Sequence, residues 1–94
     1  MIWGPTDRPR QIRQGYALYF ALEAPARVHW GKNGWQNIQD VDTAPENRLG
    51  LNIVKIDLAD VPLGSTVQFT FFWKDRRAWE GRDYALTVVA DASV

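Results

Sequence analysis

The sequence predicts an all-β domain: an antiparallel sandwich of about seven short strands. Apolar residues alternate with period two in almost every hydrophobic segment, and no segment carries a 3.6-residue apolar stripe. Pro, Gly, Asn and Asp gather between those segments, where strands must stop and turn. At 94 residues the chain holds one domain, read here as residues 1–94. A chain of this size buries roughly 60–65% of its unfolded surface, enough for one modest core.

The leader "MIWGPTDRPR" is Pro-rich, and its Trp3 is expected to cap one end of the sandwich or pair along an edge. "GYALYFALE" then sets Tyr16, Leu18, Phe20 and Leu22 on one face and Ala17, Tyr19 and Ala21 on the other. In "PARVHWGK", Ala26, Val28 and Trp30 face one way and Arg27 and His29 the other. "WQNIQDV" is a weaker strand, and "LNIVKIDL" sets Val54, Ile56 and Leu58 against Ile53, Lys55 and Asp57. "STVQFTFFWK" alternates most clearly, with Val67, Phe69, Phe71 and Trp73 inward. "DYALTVVA" closes the series with Tyr84, Leu86 and Val88 on one face. The breaks "EAP", "GKNG", "DTAPENRLG" and "DVPLG" separate these strands. Six or seven strands at that spacing suit an immunoglobulin-like sandwich, with a small barrel as the alternative.

Composition narrows the function. Eleven basic and eleven acidic side chains cancel, which argues against nucleic acid and against an anionic membrane surface. Residues 73–83 mix aromatic and basic groups, but their acids leave too little positive charge for a single-strand groove. No apolar run approaches the ~20 residues of a membrane span. The chain has no cysteine, so disulfides and thiolate metal sites are excluded. A cysteine-free chain without a signal-peptide pattern at its start leans towards the cytoplasm.

The five tryptophans fall into two kinds. Trp30 and Trp73 share the inward register of their strands and read as core. Trp35 follows the "GKNG" turn, and Trp79 sits in "KDRRAWEGRD", among charges. Leaving an indole in water forfeits burial worth about 2–3 kcal/mol, so exposed tryptophans close together suggest a surface that a ligand covers. Folding back as lids over the core is the plainer explanation for either one taken alone. His29, the sole histidine, points away from the core and lies one short turn before Trp35. Flat apolar platforms beside a directional hydrogen-bonding group suit a sugar, whose ring face stacks while its hydroxyls need partners. Asn33, Gln36, Asn37, Glu80 and Asp83 are near enough in sequence to form a polar rim. Asp40, Asp42 and Glu46 read as polar loop residues.

"VHWGKNGWQNIQD" and "FTFFWKDRRAWEGRDYALTV" together resemble starch-binding modules, especially carbohydrate-binding modules of family 25. The resemblance covers roughly residues 26–89. It implies an immunoglobulin-like sandwich whose sugar contacts fall on His29, Trp35 and Trp79. The family usually follows its loop tryptophan with an Asp-Asn-Asn-like run, where this chain has "EGRD". The ending also resembles the C-terminal accessory domain of bacterial glucoamylase-type proteins of glycoside hydrolase family 15. That likeness implies a domain excised from a larger α-glucan hydrolase.

The expectation is a non-catalytic module for α-glucans such as starch, glycogen or malto-oligosaccharides, serving an attached catalytic domain. The alternative is a docking sandwich that contacts its parent enzyme or another protein, with arginines and aromatics at the interface. An independent enzyme is disfavoured, since Glu80 and Asp83 are loop neighbours rather than a carboxylate pair across a cleft. Ser65 and His29 lack the context of a nucleophilic triad. One histidine without calcium-loop spacing argues against a metal, and no cofactor is expected.

Overall fold

Two β-sheets pack face to face around a core of alternating inward side chains. The computed structural model describes residues 1–4 and 6–90. Its strands are β1 (Ile2–Trp3), β2 (Gln11–Arg13), β3 (Leu18–Leu22), β4 (Ala26–Lys32) and β5 (Gln36–Asp42), followed by β6 (Ala44–Glu46), β7 (Leu51–Ile56), β8 (Thr66–Trp73), β9 (Ala78–Trp79) and β10 (Tyr84–Val89). The smaller sheet has the order β1-β3-β7-β6. The larger has the order β2-β10-β8-β4-β5, with β9 paired to β8.

The alternation read from sequence builds the core. Leu18, Phe20 and Leu22 of β3 face Val28 and Trp30 of β4, Val67, Phe69 and Phe71 of β8, and Leu86 and Val88 of β10, all buried. Their outward neighbours Tyr19, Arg27, Ala85 and Thr87 are exposed. Trp73 and Tyr84 are half-buried against this cluster.

Trp3 pairs along an edge, one of its two expected placements: β1 forms the edge of the smaller sheet. Both β1 with β3 and β2 with β10 pair in parallel, however, so the sandwich is not wholly antiparallel. The chain thus runs along the edge of one sheet and then the other. Segments of two and three residues carry no periodicity, so alternation alone does not show either strand. Trp3 does more than cap an end. It is only 3% exposed and packs on Phe69 and Phe71 at 5.2 Å and on Tyr84 at 4.8 Å. Tyr16, expected inward, is exposed, because the chain is still turning there and the Tyr16 N–H donates to the Arg13 carbonyl at 3.1 Å.

The strands β9 and β10 run along the same edge of β8. Trp79 pairs with Phe72 and Tyr84 with Phe69, and residues 80–83 bulge out between them. Gly81, at φ 77°, supplies the left-handed turn that the bulge needs. The Thr70 hydroxyl donates to the Arg82 carbonyl at 2.8 Å and pins the bulge to the sheet.

Candidate functional site

The outer face of the larger sheet brings His29, Trp35 and Trp79 together. Direct cross-strand partners share a face, so Arg27 lies beside Phe72, His29 beside Thr70, and Gly31 beside Gln68. On the other side of β4, Asp42 sits opposite Arg27 and Asp40 opposite His29. The partner of Phe72 on β9 is Trp79, which places the indole on this same face.

The hairpin between β4 and β5 delivers Trp35. Three consecutive residues, Asn33, Gly34 and Trp35, adopt positive φ of 48°, 85° and 67°. Asn and Gly tolerate that conformation, but a tryptophan there is strained by on the order of 1–3 kcal/mol. The surroundings hold it in place. Gln68 Oε1 accepts from the Gly34 N–H at 3.0 Å and the Trp35 N–H at 3.4 Å. Asn33 Oδ1 accepts from the Thr66 N–H at 3.0 Å, and the Asn33 N–H donates to the Thr66 carbonyl at 2.9 Å. Gly31 lets the loop lie close: a β-carbon there would sit 3.0 Å from Trp35 Cα.

His29 stands between the two indoles. Its ring centroid lies 5.5 Å from Trp35, tilted by 32°, and 5.6 Å from Trp79, edge-on at 78°. Those two angles cannot belong to parallel indoles, so the two indoles are set at an angle to each other. Trp79 also meets Phe72 edge-on at 5.3 Å and remains 54% exposed, while Trp35 is half-buried. A shallow depression of about 270 Å³ lies alongside, lined by Arg27, His29, Asp40, Phe72 and Trp79.

Charges flank this row. His29 Nδ1 is 2.7 Å from Asp40 Oδ1. Arg27 Nε donates to Asp42 Oδ1 at 2.9 Å, and Lys74 Nζ reaches the same oxygen at 3.2 Å. The hydrogen bonds from Arg27 and Lys74 hold the Asp42 carboxyl below the usual carboxylate range, and the bond to Asp42 raises Arg27. These groups are open to solvent, so they orient one another more than they stabilise the fold. Among the described residues, no group of three His, Asp or Glu side chains could hold a metal ion.

The expected polar rim is largely redirected. Glu80, just past the end of β9, turns away from Trp79. Its Oε1 accepts from Trp73 Nε1–H at 3.0 Å and its Oε2 from the Tyr84 hydroxyl at 2.7 Å, beside a cavity shared with Trp3 and Arg8. Asp83 lines a different depression, with Arg8, Arg10 and Arg82. Gln36 pairs with Lys32, whose ammonium lies over Trp30, and so belongs to the opposite face. Asn33 is exposed, but its carbonyl oxygen is committed to the turn; Asn37, at φ 53°, is exposed on β5. Sequence reasoning missed Arg27, Asp40, Gln68 and Phe72. Counting residues back across the "GKNG" turn from the Lys32–Gln36 pair would set Gln39 against His29; the bulge between Trp30 and Lys32 shifts the register by one and brings Asp40 there, and β5 makes Asp40 and Asp42 strand residues rather than loop acids.

No protein-family model matches this chain, and no solved structure matches it. Two proteins of Niallia circulans, both named cycloisomaltooligosaccharide glucanotransferase, are similar to it, at 28% and 25% identity over 97 aligned residues. Each alignment covers 93% of this chain and 10% of the relative, so the chain spans about a tenth of the length of the curated relatives it matches. The chain is thus distantly similar, over most of its length, to a short segment of a carbohydrate-active enzyme.

Proposed function

We propose that this domain is a non-catalytic α-glucan-binding module that stacks glucose units on Trp35 and Trp79 across His29. The observation that carries the reading is the row itself: two indoles, each within 5.6 Å of the one histidine, on an exposed sheet face. Their unequal tilt suits a curved α-linked chain better than a flat β-linked ribbon. The exposed Trp79 ring would regain on binding part of the burial it forgoes in the free protein. The resemblance to family-25 starch-binding modules falls on these same three residues. The similarity to a tenth of two glucanotransferases supports a role as an accessory part that keeps a catalytic domain near glucan. Titration with maltoheptaose and with an isomalto-oligosaccharide tests the reading and ranks the two linkages. The expected dissociation constants lie at about 10 µM to 1 mM, since a few stacked rings must offset the ordering of a flexible chain. Absence of binding to both at millimolar sugar refutes it.

The docking alternative finds support on the other sheet. Ile2, Tyr19, Ala21, Leu49, Leu51 and Ile53 line an apolar depression of about 290 Å³ on the outer face of the smaller sheet. That face suits contact with a neighbouring catalytic domain and leaves the tryptophan row open. Concentration-dependent self-association of the isolated domain, abolished by Leu49→Lys, is the sedimentation result expected of such a patch. Unchanged monomeric behaviour in both proteins argues against it.

A further inference from the structure

We propose that Asp40 is a positioning residue, holding His29 in the Nδ1–H tautomer so that Nε2 accepts a hydrogen bond from a sugar hydroxyl. This inference rests on the glucan-binding reading of the same face. The Nδ1 to Oδ1 distance is 2.7 Å, and an ionised carboxylate can only accept, so the proton between them sits on nitrogen. A neutral imidazole with its hydrogen on Nδ1 carries its lone pair on Nε2. No hydrogen-bond partner meets Nε2 among the described residues.

The neighbours of the ring leave that atom with a distinct role. From β8, Gln68 is occupied by the Gly34 and Trp35 N–H groups and by Thr66, and the Thr70 hydroxyl is given to Arg82. From β8 and β9, Trp79 packs edge-on against the His29 ring at 5.6 Å and against Phe72 at 5.3 Å. From β4 and β5, Arg27 and Asp42 satisfy each other, with Lys74 joining Asp42. Asp40 is the charged group in direct contact with His29. A hydroxyl at the edge of a glucose stacked between the indoles therefore meets an acceptor at Nε2.

The test combines ring spectroscopy with sugar titration of Asp40→Asn. The asparagine can donate to Nδ1 as well as accept from it, so unlike the carboxylate it lets the ring proton move to Nε2 without removing the cross-strand contact, and a variant ring that keeps its hydrogen on Nδ1 overturns the proposal. Long-range ¹H–¹⁵N spectra at neutral pH are expected to show hydrogen on Nδ1 in the wild type and on Nε2 in the variant. Maltoheptaose affinity is expected to fall about two- to tenfold in the variant, the worth of one hydrogen bond. A wild-type ring with its hydrogen on Nε2 overturns the proposal. So does a variant whose tautomer has switched while its affinity has not. If the wild type binds no sugar, the functional reading fails on its own, and the ring spectra still decide whether Asp40 sets the tautomer.

Discussion

Replacing Gly31 by alanine tests how Trp35 is held. The new β-carbon would lie 3.0 Å from Trp35 Cα, 3.1 Å from the Gln36 carbonyl oxygen and 3.2 Å from the Trp35 carbonyl carbon. All three are backbone atoms, so no flexible side chain can swing aside. The loop cannot easily retreat either, because Gln68 and Thr66 anchor it at Gly34, Trp35 and Asn33. Relief must come from shifting a backbone already at positive φ or from breaking those anchors. Overpacking of this kind costs about 1–3 kcal/mol. In a domain of this size that lowers the melting temperature by roughly 4–8 °C per kcal/mol. Thermal unfolding by circular dichroism reads the stability, and maltoheptaose titration reads the displacement of Trp35 from His29. Both are expected to drop together. A Gly31→Ala protein that melts and binds like the wild type refutes the claim that close approach at Gly31 positions the indole.

Three further outcomes follow from other contacts. Glu80→Ala is expected to cost about 2–4 kcal/mol in denaturant unfolding, because it strips a charged acceptor from the Trp73 indole and the Tyr84 hydroxyl. Its sugar affinity should stay within a factor of two of wild type, and a large loss would return Glu80 to the binding face. Trp35→Gly should unfold about 1 kcal/mol later than Trp35→Ala, since glycine accepts φ 67° without strain, while both lose sugar equally; the opposite ranking contradicts the strain argument. Tyr84 is raised above its ordinary value near 10 by burial, then by its bond to the Glu80 carboxylate. The folded state therefore holds that proton more tightly than the unfolded chain. The stability it lends is fully present below about pH 10 and lost as pH rises through the folded value. Tyrosinate absorbance should show one late-titrating tyrosine, and a Tyr84→Phe protein should lack that phase.

Much of this architecture was legible because strand alternation is a local property. Phe20, Val28, Phe69, Phe71 and Leu86 announced their faces through their neighbours two positions away, and the structure buries all five. His29 was legible as outward for the same reason. Trp3 was not, because two residues of β1 have no period, and only the packing of Phe20, Phe69 and Phe71 makes room for its ring. Glu80 was expected beside Trp79, but its carboxylate meets Trp73 and Tyr84, because proximity in sequence does not decide which side of the sheet a side chain takes. Asp40 was overlooked because its partner is set by the register across the hairpin, with a bulge between Trp30 and Lys32, rather than by its own neighbours. Local pattern set the inward and outward faces, and cross-strand register decided which polar groups lie beside His29.

The central claim is that Trp35 and Trp79 form one sugar surface, and calorimetric titration of maltoheptaose into wild type, Trp35→Ala and Trp79→Ala tests it most directly. Trp79 is 54% exposed, so its removal should leave thermal stability within about 1 kcal/mol of wild type, as expected for a surface side chain. The account predicts measurable wild-type binding that weakens about tenfold or more in each variant, as the loss of one stacking platform implies. Wild-type affinity retained in Trp79→Ala, with the protein folded, would contradict it.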